Sequence, residues 1–127
     1  MIGLYTHEDM LDHRPGATHP ERPERLAAVI EALEARDDLD FEPQDAPQAE
    51  LADLRLVHEA EYLERIFAAA PRAGLTQLDE DTVMSPGTLL AARRAAGAVA
   101  AAVRDVAAGR FQRAFCAVRP PGHRPSR

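Results

Sequence analysis

An α/β fold with a small parallel sheet flanked by helices is predicted by the order of apolar patterns along the 127 residues. Short apolar runs alternate with longer segments whose apolar residues recur every three or four positions, as in strands joined by helical crossovers. The last run, Ala114-Phe115-Cys116-Ala117-Val118, is apolar on both alternating faces, the pattern of a strand covered on both sides. It feeds into Arg119-Pro120-Pro121-Gly122-His123, a rigid turn that presents a histidine at the carboxyl edge of the sheet. Open α/β folds bind their ligands there.

Each element follows from local chemistry. Residues 2–5 read as a short buried strand, followed by a loop over 6–19 rich in His, Asp, Pro and Gly. A helix should start at Pro20 or Pro23, because proline suits the first helical turn and Glu21 and Glu24 favour its positive end. Leu26, Val29, Ile30 and Leu33 give it one apolar face, and Asp37-Asp38 ends it. Phe41 opens a second short strand before the proline-rich residues 43–47. Helices are expected near 50–54 and 59–70, the second with Tyr62, Leu63, Ile66, Phe67 and Ala70 on one face. Residues 71–86 read as irregular and acidic. Ser85-Pro86 then starts a long helix, with serine as cap, and Gly109 closes it. Its expected core seam is Leu89, Ala92, Ala96, Val99, Val103 and Val106.

Composition narrows the function classes. A net charge of −6 argues against nucleic acid or an anionic membrane as partner. Arg93, Arg94, Arg104 and Asp105 interrupt the Ala-rich stretch too often for a membrane span. The amino terminus lacks the basic and long apolar regions of a secretory signal, so a cytoplasmic protein is expected. Cys116 is the only cysteine and forms no internal disulfide; its mid-strand place suits a small buried hydrophobe. His7, His13 and His19 stand six residues apart, a spacing that fits no zinc pattern. Their expected role is local hydrogen bonding. Three short strands leave one sheet edge uncovered, with self-association through it as the expected consequence.

Two groups of residues, read together, carry a resemblance. The first is His19-Pro20-Glu21-Arg22-Pro23-Glu24-Arg25-Leu26. The second runs from Asp81-Thr82 through Ser85-Pro86-Gly87-Thr88 to Arg119-Pro120-Pro121-Gly122-His123. The pattern Asp53-Leu54, Val57-His58, Tyr62-Leu63 supports them. In order and spacing they resemble the amino-terminal portion of the histone deacetylase family, which includes acetoin-utilisation proteins and acetylpolyamine amidohydrolases.

That resemblance implies a partial arginase/deacetylase-like three-layer fold over residues 1–127, ending just after the Arg119–His123 motif. It implies a zinc-dependent amide hydrolysis of acetyl-lysine or acetylpolyamine, in which the metal polarises the carbonyl and acidifies its bound water. His123 corresponds to the first of two adjacent catalytic histidines. The second position holds Arg124, whose guanidinium has no acceptor and cannot act as a base. The family's metal ligands, an Asp-x-His pair and a later Asp, lie downstream of the tandem histidines, so no metal ligand is assigned in this chain and no zinc is expected to bind. Arg25 corresponds to an arginine lining an internal channel, its bland alternative being a surface arginine. Asp81 corresponds to a substrate-binding aspartate at the active-site rim, its alternative being a solvated acidic loop. The expectation is a truncated, inactive deacetylase. The competing readings are a small non-catalytic binding protein on half of the fold, and a chain completed by a separate polypeptide.

Overall fold

The computed structural model describes residues 1–78 and 82–121. Strand β1 (Ile2–Thr6) leads through a 3-10 turn (Glu8–Asp12) to helix α1 (Pro23–Glu34) and strand β2 (Phe41–Asp45). Helices α2 (Leu51–Arg55) and α3 (Ala60–Ala69) follow, then a hairpin of β3 (Thr76–Gln77) and β4 (Val83–Met84). Helix α4 (Thr88–Ala107) and strand β5 (Arg113–Cys116) complete the order. β1, β2 and β5 form one parallel sheet in the order β2-β1-β5, with Leu4 beside Pro43 on one side and Phe115 on the other. This is the α/β architecture expected from the sequence.

Central β1 is the most protected strand, with Gly3, Leu4 and Tyr5 all buried. Leu4, Tyr5, Met10, Leu26, Ala98 and Phe111 anchor the hydrophobic core. Tyr5 meets Phe111 edge to face at 6.3 Å, and its hydroxyl donates to the Asp105 carboxylate. Burial, reinforced by that carboxylate, pushes the Tyr5 phenol up to about 12, so it remains a donor across the physiological range.

Proline fixes the start of α1: Pro23 opens the helix after Arg22, which is extended and makes no side-chain cap. Its face is narrower than expected, because Leu26, Ile30 and Leu33 join the core while Val29 stays exposed. β2 continues through Pro43, in a region that reads as loop. An edge strand tolerates a missing donor on its outer side. The β3–β4 hairpin also lies in a segment expected to be irregular; two-residue strands are too short to show a period.

Helix α4 corrects two expectations. Its N-cap is Gly87, and Ser85 instead uses its hydroxyl to hold the loop after the 3-10 turn. Its core face is not the Val/Leu seam but a stripe of small residues, Ala91, Gly97, Ala98 and Ala102. Val99, Val103 and Val106 are exposed. Small residues win because the helix backbone meets the segment after β2 at close range. A Cβ on Gly97 would lie 1.8 Å from the Pro47 carbonyl oxygen, and the Ala49 N–H donates to the Arg93 carbonyl at 2.9 Å. The helix closes as expected at Gly109 (φ 81°), with Gly109 N–H donating to Val106 and Arg110 N–H to Asp105.

β5 is a third correction. Phe115 is 45% exposed and the strand alternates exposed with half-buried residues, because β5 is a sheet edge covered well on one face only. In α3 just Leu63 is fully buried, while Tyr62 and Phe67 line an open cleft rather than a closed core. No helix among the described residues is long and apolar enough to cross a membrane.

Gly97→Ala is expected to lower unfolding stability by about 3 kcal/mol, the upper end of overpacking costs, because backbone rather than a flexible side chain must yield. Urea unfolding of both proteins checks this; a shift below about 0.5 kcal/mol would show that the α4 contact is loose.

Candidate functional site

The carboxyl end of β5 carries Arg119, and burying a guanidinium there requires a full set of acceptors. Arg119 is 2% exposed. Its Nε and Nη2 donate to Oε1 and Oε2 of Glu21 at 2.9 and 2.6 Å, a two-pronged pair, and its Nη1 donates to the Met10 carbonyl. One side chain thus ties the end of β5 to the 3-10 turn and to the segment that starts α1. The Arg119–Pro120 peptide is cis.

His13 extends this network. Its Nδ1 lies 2.6 Å from the Thr88 hydroxyl and its Nε2 lies 3.6 Å from Glu21. A neutral ring with its proton on Nε2, toward the carboxylate, and its Nδ1 lone pair toward Thr88 satisfies both neighbours. Burial, and then the Arg119 charge, hold His13 below the usual histidine range. Thr88 Oγ1 also accepts the Ser85 N–H at 2.7 Å, and Ser85 Oγ accepts the Arg14 N–H at 2.9 Å. His7 Nδ1 accepts from Asp9 N–H and His19 Nδ1 from Glu21 N–H, local bonds as expected, whereas His13 departs from that expectation by bonding to Thr88 on α4.

Beside this network a cleft of about 520 Å³ opens between α3 and α4. Leu63, Phe67, Leu89 and Val99 give it apolar walls, and His13, Glu21, Pro120 and Pro121 stand among its lining. His58 stacks on Tyr62 at 5.2 Å, and its Nδ1 is buried without a hydrogen-bond partner among the described residues.

The sequence-predicted site residues fall into two groups. His123, Arg124 and Asp81 lie outside the described residues. Arg25 is exposed on the first turn of α1, its N–H bonded to the Arg22 carbonyl. The arginine buried beside the cleft is Arg119, whose pairing with Glu21 and the Met10 carbonyl the sequence reading missed. The available signal was an arginine directly before Pro-Pro in a core strand, together with an acidic residue beside a histidine-rich loop. Among the described residues no three His, Cys, Asp or Glu side chains lie together to hold a metal ion. The groups nearest the turn are engaged elsewhere: His13 through Nδ1 with the Thr88 hydroxyl, and Glu21 with Arg119. This described donor set does not fit a zinc centre.

The Histone deacetylase domain family matches residues 19–126 of this chain. The chain belongs to the histone deacetylase family. It is 34% identical over 128 residues to a probable deacetylase of Archaeoglobus fulgidus, covering 97% of this chain and 34% of that protein. It is 40% identical over 109 residues to the histone deacetylase-like amidohydrolase of Pseudomonas aeruginosa, covering 84% and 27%. Its fold is similar to the crystal structure of the HDA15 HD domain, with a TM-score of 0.83, 30% identity, and 94% and 36% coverage. The chain therefore spans between about a quarter and a third of the length of these three proteins (27–36%).

Two outcomes test the network. Glu21→Gln leaves a buried guanidinium half-paired and is expected to cost about 3–5 kcal/mol in denaturant unfolding, far more than a surface pair. A loss under 1 kcal/mol would remove Arg119 as a structural anchor. For His13, the folded value is depressed, so the unfolded chain binds the extra proton. Its contribution is therefore full above the ordinary value near 6.5 and is lost as pH falls through the lower folded value. Unfolding midpoints measured from pH 7.5 to 5 should fall more steeply for the wild type than for His13→Gln; parallel curves would refute the assignment.

Proposed function

We propose that this chain carries the amino-terminal part of a zinc-dependent deacetylase, built for amide hydrolysis of acetyl-lysine or acetylpolyamine, and that its 127 residues alone do not catalyse the reaction. The reading rests on family membership and on one observation: the Arg119–Glu21 clamp fixes Arg119, the first residue of the Arg-Pro-Pro-Gly-His motif. In the family a bound zinc polarises the acetamide carbonyl and supplies the activated water. By its match to the family motif, His123 is the residue that would take a proton. Arg124, permanently charged and without an acceptor, cannot be its partner base. The sequence contains no Asp-x-His pair, so stoichiometric zinc is not expected to bind. A cytoplasmic setting suits these substrates.

A second reading, a small non-catalytic binding protein, draws support from the apolar cleft between α3 and α4, which is of a size that takes small ligands.

The experiment supplies zinc, an acetyl-lysine reporter and acetylputrescine to the purified chain. It then repeats the assay with Arg124→His and with the segment of the Pseudomonas aeruginosa amidohydrolase that follows its matched region. No turnover by the chain alone, and turnover by the supplemented Arg124→His form, is the expected result. Turnover by the unmodified chain alone overturns the inactivity; none in the supplemented form overturns the deacetylase reading.

A further inference from the structure

The buried polar network beside Arg119 has two complete sets of hydrogen bonds, one proton apart. His13, Ser85, Thr88 and Arg119 are all buried, so their polar atoms must be met by protein groups. With His13 neutral, Thr88 donates its hydroxyl proton to Nδ1 across 2.6 Å and accepts the Ser85 N–H at 2.7 Å. Ser85 Oγ accepts the Arg14 N–H at 2.9 Å and donates to the Asp12 carbonyl at 3.2 Å. One Ser85 lone pair is left over, and Thr88 Oγ1 lies 3.0 Å from Ser85 Oγ. With a proton added at Nδ1, the ring donates to Thr88, and Thr88 turns its own proton to that lone pair. A hydroxyl has one donor and two acceptor positions, and in this second arrangement both hydroxyls fill all three. Charging His13 therefore strands no donor on this side of the ring.

The other side of the ring holds a short gap. Nε2 stands 3.6 Å from Glu21 Oε2, about 0.8 Å beyond a charge-assisted N–H···O bond. The same Oε2 accepts Arg119 Nη2 at 2.6 Å. Glu21 carries a single negative charge, so an imidazolium at His13 and the guanidinium of Arg119 compete for it.

Among the described residues no second anion relieves that competition. His19, the other titratable group acting on the ring, opposes its protonation. Asp9 on the 3-10 turn is paired with Arg94 of α4 at 3.1 Å, and Glu8, Asp12 and Arg14 are exposed. Across the cleft, Arg93 is bound to the Ala49 carbonyl and His58 stacks on Tyr62. Burial and the Arg119 charge favour the neutral ring, and Glu21 pulls the other way.

We infer that His13 is a proton-operated latch on the Arg119–Glu21 clamp. Neutral, it leaves both carboxylate oxygens to Arg119. Protonated, it closes on Oε2 and draws that oxygen from Arg119 Nη2, so the guanidinium keeps only Oε1 and the Met10 carbonyl. Arg119 is the first residue of the Arg-Pro-Pro-Gly-His motif, so acid loosens the motif's anchor while the chain is still folded. The sign follows from a depressed folded value: the clamp is closed at neutral pH and opens as pH falls through a point below 6.5. The latch consists of side chains already in contact, and it operates apart from the proposed reaction.

Nitrogen NMR of the full chain tests it, following the His13 ring nitrogens and the Arg119 Nε–H from pH 7.5 down to the onset of unfolding. At neutral pH His13 should show its proton on Nε2. Both residues should then shift with one midpoint below 6.5, and the protection of the Arg119 Nε–H against exchange should fall by about tenfold across it. His13→Gln should leave the Arg119 signal insensitive to pH, and His19→Gln should leave its response in place. Should His13→Gln fail to fold, the wild type and His19→Gln decide the matter. A flat Arg119 signal while His13 titrates, or a His13 that stays neutral until the chain unfolds, overturns the latch. So does an Arg119 response that survives in His13→Gln or vanishes in His19→Gln.

Discussion

The buried pairing of Arg119 with Glu21 is the constraint on which the rest of the molecule depends. A guanidinium removed from water costs several kcal/mol unless its charge and its donors are met, and here one carboxylate and one carbonyl meet it. The partners come from segments about a hundred residues away in sequence. Satisfying them sets where β5 ends relative to the 3-10 turn and the start of α1. Lysine could not replace it, because a point charge lacks the planar fork that engages both carboxylate oxygens while a third donor reaches Met10. The His13–Thr88–Ser85 chain extends the same tie to the start of α4. The 3-10 turn, the segment before α1 and the start of α4 are therefore joined by hydrogen bonds as well as by apolar contact.

Helix α4 shows how a small-residue face and a large-residue face divide labour. Alanine and glycine face the sheet and the segment after β2, where backbones come close and Arg93 and Arg94 reach across to carbonyls. The valines, which carry more of the helix's hydrophobic area, stand toward the cleft and the open flank. This division reverses the expectation that the largest apolar residues mark the core face. Packing distance, not hydrophobicity, selects the buried stripe where two backbones approach to van der Waals contact.

This contrast explains what was legible in the sequence. Strands, helices and the parallel arrangement were readable because period and punctuation act locally: Pro23 at a helix start, Gly109 at a helix end, an apolar run at β5. The family was readable from the His19–Leu26 and Arg119–His123 motifs together. The α4 core face, the exposure of Phe115 and the role of Arg119 were not readable. Each depends on which distant backbone lies opposite, and no local pattern carries that. Ser85 shows the limit most clearly. It has the chemistry of a helix cap, yet its hydroxyl accepts the Arg14 N–H and donates to the Asp12 carbonyl, tertiary partners that no local pattern reveals.

β5 joins the two halves of the molecule's physics. At its carboxyl end it delivers Arg119 into a saturated polar network, where nearly every donor near the turn has its acceptor. Among the described residues its other side pairs with no strand, and its Phe115 ring is half exposed. A four-residue strand hydrogen-bonded on one side only is easily frayed, and fraying of β5 would pull Arg119 away from Glu21. The clamp works against that fraying: by holding Arg119 to Glu21 and to the Met10 carbonyl, it pins the chain just after β5 to the 3-10 turn and the segment before α1.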